Sequence, residues 1–416
     1  MIRRNTTHSP SPPFGRTPPV NWGGKTGRIS IFLPRLRGRC RAKRGGGGAC
    51  AIVLLSSAGR ICALLLALVI ATAAAAADAP RLPAYPAVVP GVEFRFPADH
   101  GAHADFRTEW WYITGWLEPE EGPAFGFQVT FFRTRPSVDQ GNPSAFAAKQ
   151  VLFAHAAISD PATKRLLHDQ RVARAGFGLA EASATDMDVV IDDWSLKRLS
   201  DDRIVTKVSG AEFTLDLAFR PTQPILLQGE KGFSKKGPLP QQASHYYSLP
   251  HLEVSGTVQR GNRTVQVKGT AWLDREWSSA YLDPRAVGWD WVGFNFNDGA
   301  ALMAFQIRGE DGAALWAGGT YRDAQGTTVT FAPGDVRFTT MRTWRSPRTG
   351  TVYPVERGLT LRLPNGERTW RIKPLFDDQE LDSRAGGGPV YWEGAAEIEG
   401  GRGYLELTGY FRPLKL

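Results

Sequence analysis

Phe106-Arg107-Thr108-Glu109-Trp110-Trp111-Tyr112-Ile113-Thr114-Gly115-Trp116 sets a carboxylate directly before three consecutive aromatic residues. In a strand, successive side chains point to opposite faces. Glu109 and Trp111 then share one face, and Trp110 and Tyr112 the other. Aromatic mass on both faces implies that both are covered, by core, by ligand or by a neighbouring sheet. A counterpart lies near mid-chain, Leu273-Asp274-Arg275-Glu276-Trp277.

Around these two stretches the chain reads as strand after strand, punctuated by Gly, Asn-Gly and Asp-Gly. Ala124 to Phe132, Glu212 to Phe219 and Thr264 to Trp272 are examples. Helical periodicity is rare, with Lys149 to Ile158 the main candidate, so the chain is all-β. There is also an internal echo. Phe127-Gln128-Val129 follows the Trp-rich opening strand, and Phe305-Gln306-Ile307 follows Gly288-Trp289-Asp290-Trp291-Val292-Gly293-Phe294. Both halves close on a hairpin, one turning at Gly261-Asn262 and the other at Gly400-Gly401. Two copies of one antiparallel module follow, and closed or nearly closed barrels are the natural way to protect strand edges.

The formal charge of +9 is local. Residues 1 to 77 hold twelve Lys/Arg and no Asp or Glu, leaving 38 basic against 41 acidic residues beyond them, a net of −3. A basic nucleic-acid binder is therefore not implied. Cys40, Cys50 and Cys62 all lie in the same leader, so the body has no disulfide, no Cys-based metal site and no thiol nucleophile. Arg60, the apolar run Ile61 to Ile70 and the alanine-rich stretch to Ala77 read as a signal peptide cleaved before Asp78. An uncleaved leader serving as an anchor is the alternative. Residues 78 to 92 form a Pro-rich entry.

Three groups of residues can carry chemistry. Asp274 shares a strand face with Trp272, and an acid desolvated beside Trp has a raised pKa, which suits a general acid; a surface carboxylate paired with Arg275 is the plainer reading. Ser244-His245-Tyr246-Tyr247-Ser248 offers hydroxyls, phenols and an imidazole. A Ser-His-Asp site can be assembled from Ser244 or Ser248 with His245 and Asp274, although no nucleophile elbow surrounds either serine. His100, His103 and Asp105, with His155 more distant, have spacings that can ligate a metal, but a solvated entry loop is the plainer reading. Arg133, Arg135, Arg342 and Arg345 follow aromatic strands and offer either surface charge or a seat for an acidic headgroup.

In combination, Phe106 to Trp116, His245-Tyr246-Tyr247-Ser248 and Trp272 to Ser279 resemble one family: the AttH-like and hydroxyneurosporene synthase-like (carotenoid 1,2-hydratase, CrtC-like) lipocalin-like proteins. The closing Tyr391-Trp392-Glu393-Gly394-Ala395 and Gly403 to Tyr410 are similar to the second domain of its exported bacterial members. The resemblance implies tandem lipocalin-like (calycin-type) barrels, at 93–279 and 280–416. It implies a protein that binds an elongated hydrophobic molecule, isoprenoid or lipid-like, and acts as a hydratase or secreted hydrolase without a cofactor or metal. The alternative is a non-catalytic carrier, or a periplasmic accessory to an ABC-type membrane transport system. The hydratases use an Asp followed three residues later by Trp. Asp274 and Trp277 match, while Arg275-Glu276 stand where the hydratases carry a His. On this reading Asp274, Glu276, Glu109, His245 and Tyr246 are the catalytic candidates. Trp110, Trp111, Tyr112, Tyr247, Trp272 and Trp277 are the ligand-binding ones.

Overall fold

A computed structural model describes residues 82–414. The leader, with its cysteines, apolar run and expected cleavage region, lies outside them. The first half contributes β1 (Thr108–Pro119), β2 (Phe125–Thr134), β3 (Val151–Asp160), β4 (Arg165–Arg174), β5 (Ala180–Ala182), β6 (Asp188–Ile191), β7 (Trp194–Arg198), β8 (Ile204–Ser209), β9 (Phe213–Arg220), β10 (Leu226–Leu227) and β11 (Phe233–Lys235). The long hairpin β12 (Ala243–Arg260) and β13 (Arg263–Ser278) completes it. The second half contributes β14 (Ala286–Phe296), β15 (Ala301–Gly309), β16 (Ala314–Arg322), β17 (Thr328–Phe331), β18 (Val336–Arg345), β19 (Val352–Leu363), β20 (Gly366–Pro374), β21 (Glu380–Asp382), β22 (Val390–Ile398) and β23 (Gly401–Leu407).

The two antiparallel sheets share a wiring plan. The first runs β4-β3-β2-β1-β13-β12-β9-β8-β7-β6-β5, and the second β17-β16-β15-β14-β23-β22-β20-β19-β18. In each, the opening strand lies between the second strand and the closing strand, so the repeat read from the sequence is a repeat of topology. Both sheets curl: β3 and β4 return against β6, and β15 and β16 against β18. The result is two β-barrels.

Burial follows which faces are covered. β9 alternates, with Phe213, Leu215, Leu217 and Phe219 inward and Asp216 and Arg220 exposed, the pattern of a sheet with one wet face. β1 is buried on both faces from Trp111 to Leu117. Trp111, Ile113 and Leu117 enter the core of the first barrel, while Tyr112 and Trp116 pack against the second sheet. Gly126 permits that approach: a Cβ there would lie 2.4 Å from the Ala395 Cβ and 2.5 Å from the Tyr404 hydroxyl.

One expectation changes. Lys149 to Ile158 is not helical; from Val151 it is β3, paired with β2 and β4. Its alanines favour a helix locally, but ladder pairing and burial on both faces override that preference. The barrel interiors are packed. Each is filled by its own apolar cluster, around Trp111, Phe127 and Trp194 in the first and Phe294, Trp370 and Trp392 in the second.

Candidate active site

The open space lies between the barrels. The outward faces of β1 and β13 meet β14, β22 and β23 around a cavity of about 390 Å³. Strand register lays out its first wall in two rows. One runs His155, Thr130, Tyr112, Asp274 and Ser248; the next runs Phe153, Phe132, Trp110, Glu276 and Tyr246. The opposite wall carries Trp289, Trp291, Tyr391, Glu393 and Glu406. Aromatic edges join the walls: Tyr112 meets Trp291 at 5.2 Å between ring centroids, and Tyr281 bridges Trp110 and Trp289 at 5.3 and 5.7 Å.

Asp274 is 3% exposed. Its Oδ1 accepts from Ser248 Oγ at 2.5 Å and Trp272 Nε1 at 2.6 Å, and its Oδ2 from the Tyr246 hydroxyl at 2.5 Å. A carboxylate offers about four acceptor positions, so one position on Oδ2 stays open. Tyr246 is itself fixed by Trp291 Nε1 at 3.1 Å, and Ser248 by Gln228 Nε2 at 2.7 Å. All these donors are neutral. Burial therefore dominates and pushes the Asp274 pKa up to about 7; the three hydrogen bonds restrain the rise and the charge of Glu276 adds to it.

Glu276, two residues on, faces the same cavity. Burial raises its pKa, opposed by Lys236, whose Nζ lies 3.0 Å away, and by the Ser244 hydroxyl, which donates to it. The Lys236 ammonium also sits 4.1 Å from the centre of the Phe305 ring and 4.7 Å from that of Tyr246. Glu276 and Lys236 thus neutralise each other. Of these two acids on β13, Asp274 is the one without a cation.

Comparison with known proteins places this architecture. Residues 87–410 match the model of the AttH-like family. The chain belongs to the AttH-like family. A solved structure assigned as an AttH from Nitrosomonas europaea is 54% identical, with 78% of this chain and 99% of that one covered and a TM-score of 0.73. Kievitone hydratase from Nectria haematococca is 16% identical, with 79% and 97% covered and a TM-score of 0.57. That second likeness is one of fold alone. No curated protein matches.

Of the residues singled out from sequence in this AttH-like chain, Asp274, Glu276, Trp110 and Tyr112 line the cavity, with Tyr246 and Trp272 hydrogen-bonded to Asp274. Glu109, Trp111, His245, Tyr247 and Trp277 do not join them. Period-two alternation sends them through the sheet to the other face. There Glu109 pairs with Arg133 and Arg275 and accepts the His103 backbone N–H at 3.0 Å. Burial works to raise its pKa, but Arg275, His103 and Arg133 outweigh it and hold the carboxyl well below the usual range. Arg275 lies 4.0 Å from the Trp111 ring centre, and His103 stacks on Trp277 at 3.7 Å. Tyr247 bonds His100 Nδ1 at 2.6 Å, and His245 packs 5.4 Å from Trp277. These residues close one end of the first barrel.

The same alternation removes the Ser-His-Asp arrangement, because His245 faces away from Ser248 and Asp274. The metal arrangement also fails. His100 is committed to Tyr247, His103 to Asp99 and Glu109, and Asp105 is exposed beside Arg135. Among the described residues no group of three His, Cys, Asp or Glu is placed to hold a metal. Arg133 is spent on Glu109, and Arg342 on Glu356 and Asp377. Sequence reading missed Glu393, Glu406 and Lys236 altogether. The internal echo held the signal for two of them, since β22 and β23 occupy the places of β12 and β13. A larger groove of about 650 Å³ runs past Trp116, Glu118 and Arg402, but its carboxylates are half-exposed or more and paired with Arg402, so it offers no comparable acid.

Proposed function

We propose that this AttH-like protein binds an elongated apolar alkene, isoprenoid or lipid-like, between its two barrels and adds water across the double bond, or runs the reverse reaction. The observation that carries this reading is Asp274. It is a buried carboxyl that holds its proton near neutrality and lines an aromatic-walled cavity. The acid would give that proton to one alkene carbon, the π electrons forming the new C–H bond. The tertiary cation left behind would face Trp110, Tyr112 and Trp291, whose ring faces attract positive charge. Tyr246, Ser248 and Trp272 would stabilise the carboxylate as it forms, being already aimed at it. Water then adds to the cation. No redox step is involved, and the chain's own residues supply the acid. The leader's composition supports export, so the substrate would be met outside the cytoplasm.

Incubation of the purified protein with a panel of isoprenoid alkenes in isotopically labelled water, followed by mass spectrometry, tests the reading. Label is expected in the product with the wild type and not with Asp274→Asn. Label incorporation that survives this substitution would remove Asp274 as the acid. Stoichiometric binding of the panel without any incorporation would leave a carrier.

A further inference from the structure

Asp274 uses one wall of the cavity; the other wall holds a second pair of acids. Glu393 and Glu406 stand directly opposite each other in the β22–β23 ladder, and both line the cavity. Glu393 Oε1 accepts the Tyr112 hydroxyl at 2.6 Å, while Oε2 is fully buried with no hydrogen-bond partner. Glu406 Oε2 accepts Trp289 Nε1 at 3.1 Å, and this residue, half-buried, lines the cavity. Among the described residues no Lys, Arg or His pairs with either carboxyl. Like charges directly opposite on neighbouring strands repel. Two carboxylates sharing an enclosed low-dielectric site do not both ionise, and they titrate as one unit.

We propose that Glu393 and Glu406 share a single proton, and that the pair, through Glu406, accepts the proton of the attacking water opposite Asp274. This rests on the hydration reading above. Asp274 delivers one proton to carbon and becomes ionised. A lone pair of the water oxygen forms the C–O bond with the cation, and the oxonium proton passes to Glu406, leaving the pair doubly protonated. A proton then returns from the pair to Asp274 through solvent, so one alkene and one water are consumed and nothing else. Tyr112 ties the walls together, since it neighbours Asp274 across the β1–β13 ladder and donates to Glu393.

Infrared spectroscopy of the full chain at neutral pH, in the protonated-carboxyl region, tests the shared proton without any substrate. Glu393→Gln is expected to remove one band, and Glu406→Gln to shift that same band without removing it, because burial alone keeps Glu393 protonated. Asp274→Asn removes a different one. A separate band lost from Glu406→Gln, or a band that neither variant moves, overturns the shared proton; each variant is read alone if the other fails to fold. The role as base is read in deuterated water with an isoprenoid alkene that the wild type hydrates. Glu406→Gln is expected to slow water addition roughly 10²–10⁴-fold while deuterium still enters the alkene, because Asp274 still protonates carbon. Undiminished water addition in Glu406→Gln overturns the base and leaves the acid standing. Deuterium entry that persists in Asp274→Asn overturns the acid itself.

Discussion

Glu109 and Asp274 are carboxylates on the same pair of strands, both almost wholly buried, and they behave in opposite ways. Glu109 lies between two guanidiniums and stays ionised far below neutrality; Asp274 is held only by neutral donors and keeps a proton up to about 7. Burial pushes both the same way, so it does not explain the difference. Partner charge does, and the pleat assigns the partners. Arg275 adjoins Asp274 in sequence, yet alternation sends its guanidinium through the sheet to Glu109. One side of the sheet thereby becomes a lock for the barrel and the other a reservoir of protons.

The comparison breaks most visibly if the two carboxyls are made uncharged in turn. Asp274→Asn is expected to lower kcat/KM for hydration roughly 10²–10⁴-fold, the usual worth of a positioned acid, with the unfolding midpoint little changed. Steady-state kinetics beside urea unfolding of the same preparation reads both quantities. Glu109→Gln should do the reverse. Removing one partner of a buried ion pair costs about 3–5 kcal/mol because the remaining charge stays buried, and here both Arg133 and Arg275 lose theirs. Denaturant unfolding should show that loss, while turnover per folded molecule holds.

A pH series sharpens the contrast. The acid must be protonated, so turnover is expected to fall as pH rises through about 7. Stability carries two opposite signatures. Asp274 has a folded pKa raised to about 7 by burial, so the folded state binds more protons than the unfolded one between its ordinary value and 7. Stability therefore declines across that window, by up to about 1.4 kcal/mol per pH unit from this group. Glu109 acts the other way. Its contribution is complete above the ordinary carboxylate range and is lost only as pH falls through its depressed folded value. In Asp274→Asn the decline toward neutral pH should be shallower, and in Glu109→Gln the acid-side loss should shrink.

Much of this was legible before any coordinates. Strand alternation in Glu109-Trp110-Trp111-Tyr112 already separated the two faces, and the echo of Phe127-Gln128-Val129 in Phe305-Gln306-Ile307 already gave the repeat. What the sequence did not convey was which face meets which neighbour. Trp111 and Trp110 are chemically alike, and only the packing of the second barrel makes one core and the other cavity wall. For the same reason Glu393 and Glu406 stayed invisible. Their meaning depends on standing opposite each other across a hairpin and across a cavity from Asp274, two relations no local pattern records. The resemblance to a hydratase family singled out Asp274, but the two glutamates facing it across the cavity belong to strands more than a hundred residues away.

The smallest expected effect concerns Asp105, four residues before Glu109. It also has an arginine partner, with Oδ1 3.4 Å from Arg135 Nη1, yet its side chain is 87% exposed. Water screens such a pair, and exposed ion pairs contribute about 0–1 kcal/mol. Asp105→Ala is therefore expected to shift unfolding by less than about 0.5 kcal/mol, and a chelator should leave the thermal midpoint of the wild type where it is. A loss comparable to that of Glu109→Gln would mean that the entry loop locks the barrel as the Arg275 pair does. A chelator-sensitive midpoint would return His100, His103 and Asp105 to metal binding. With neither, two acids four residues apart differ by several kcal/mol because one is buried between two arginines and the other faces a single arginine in water.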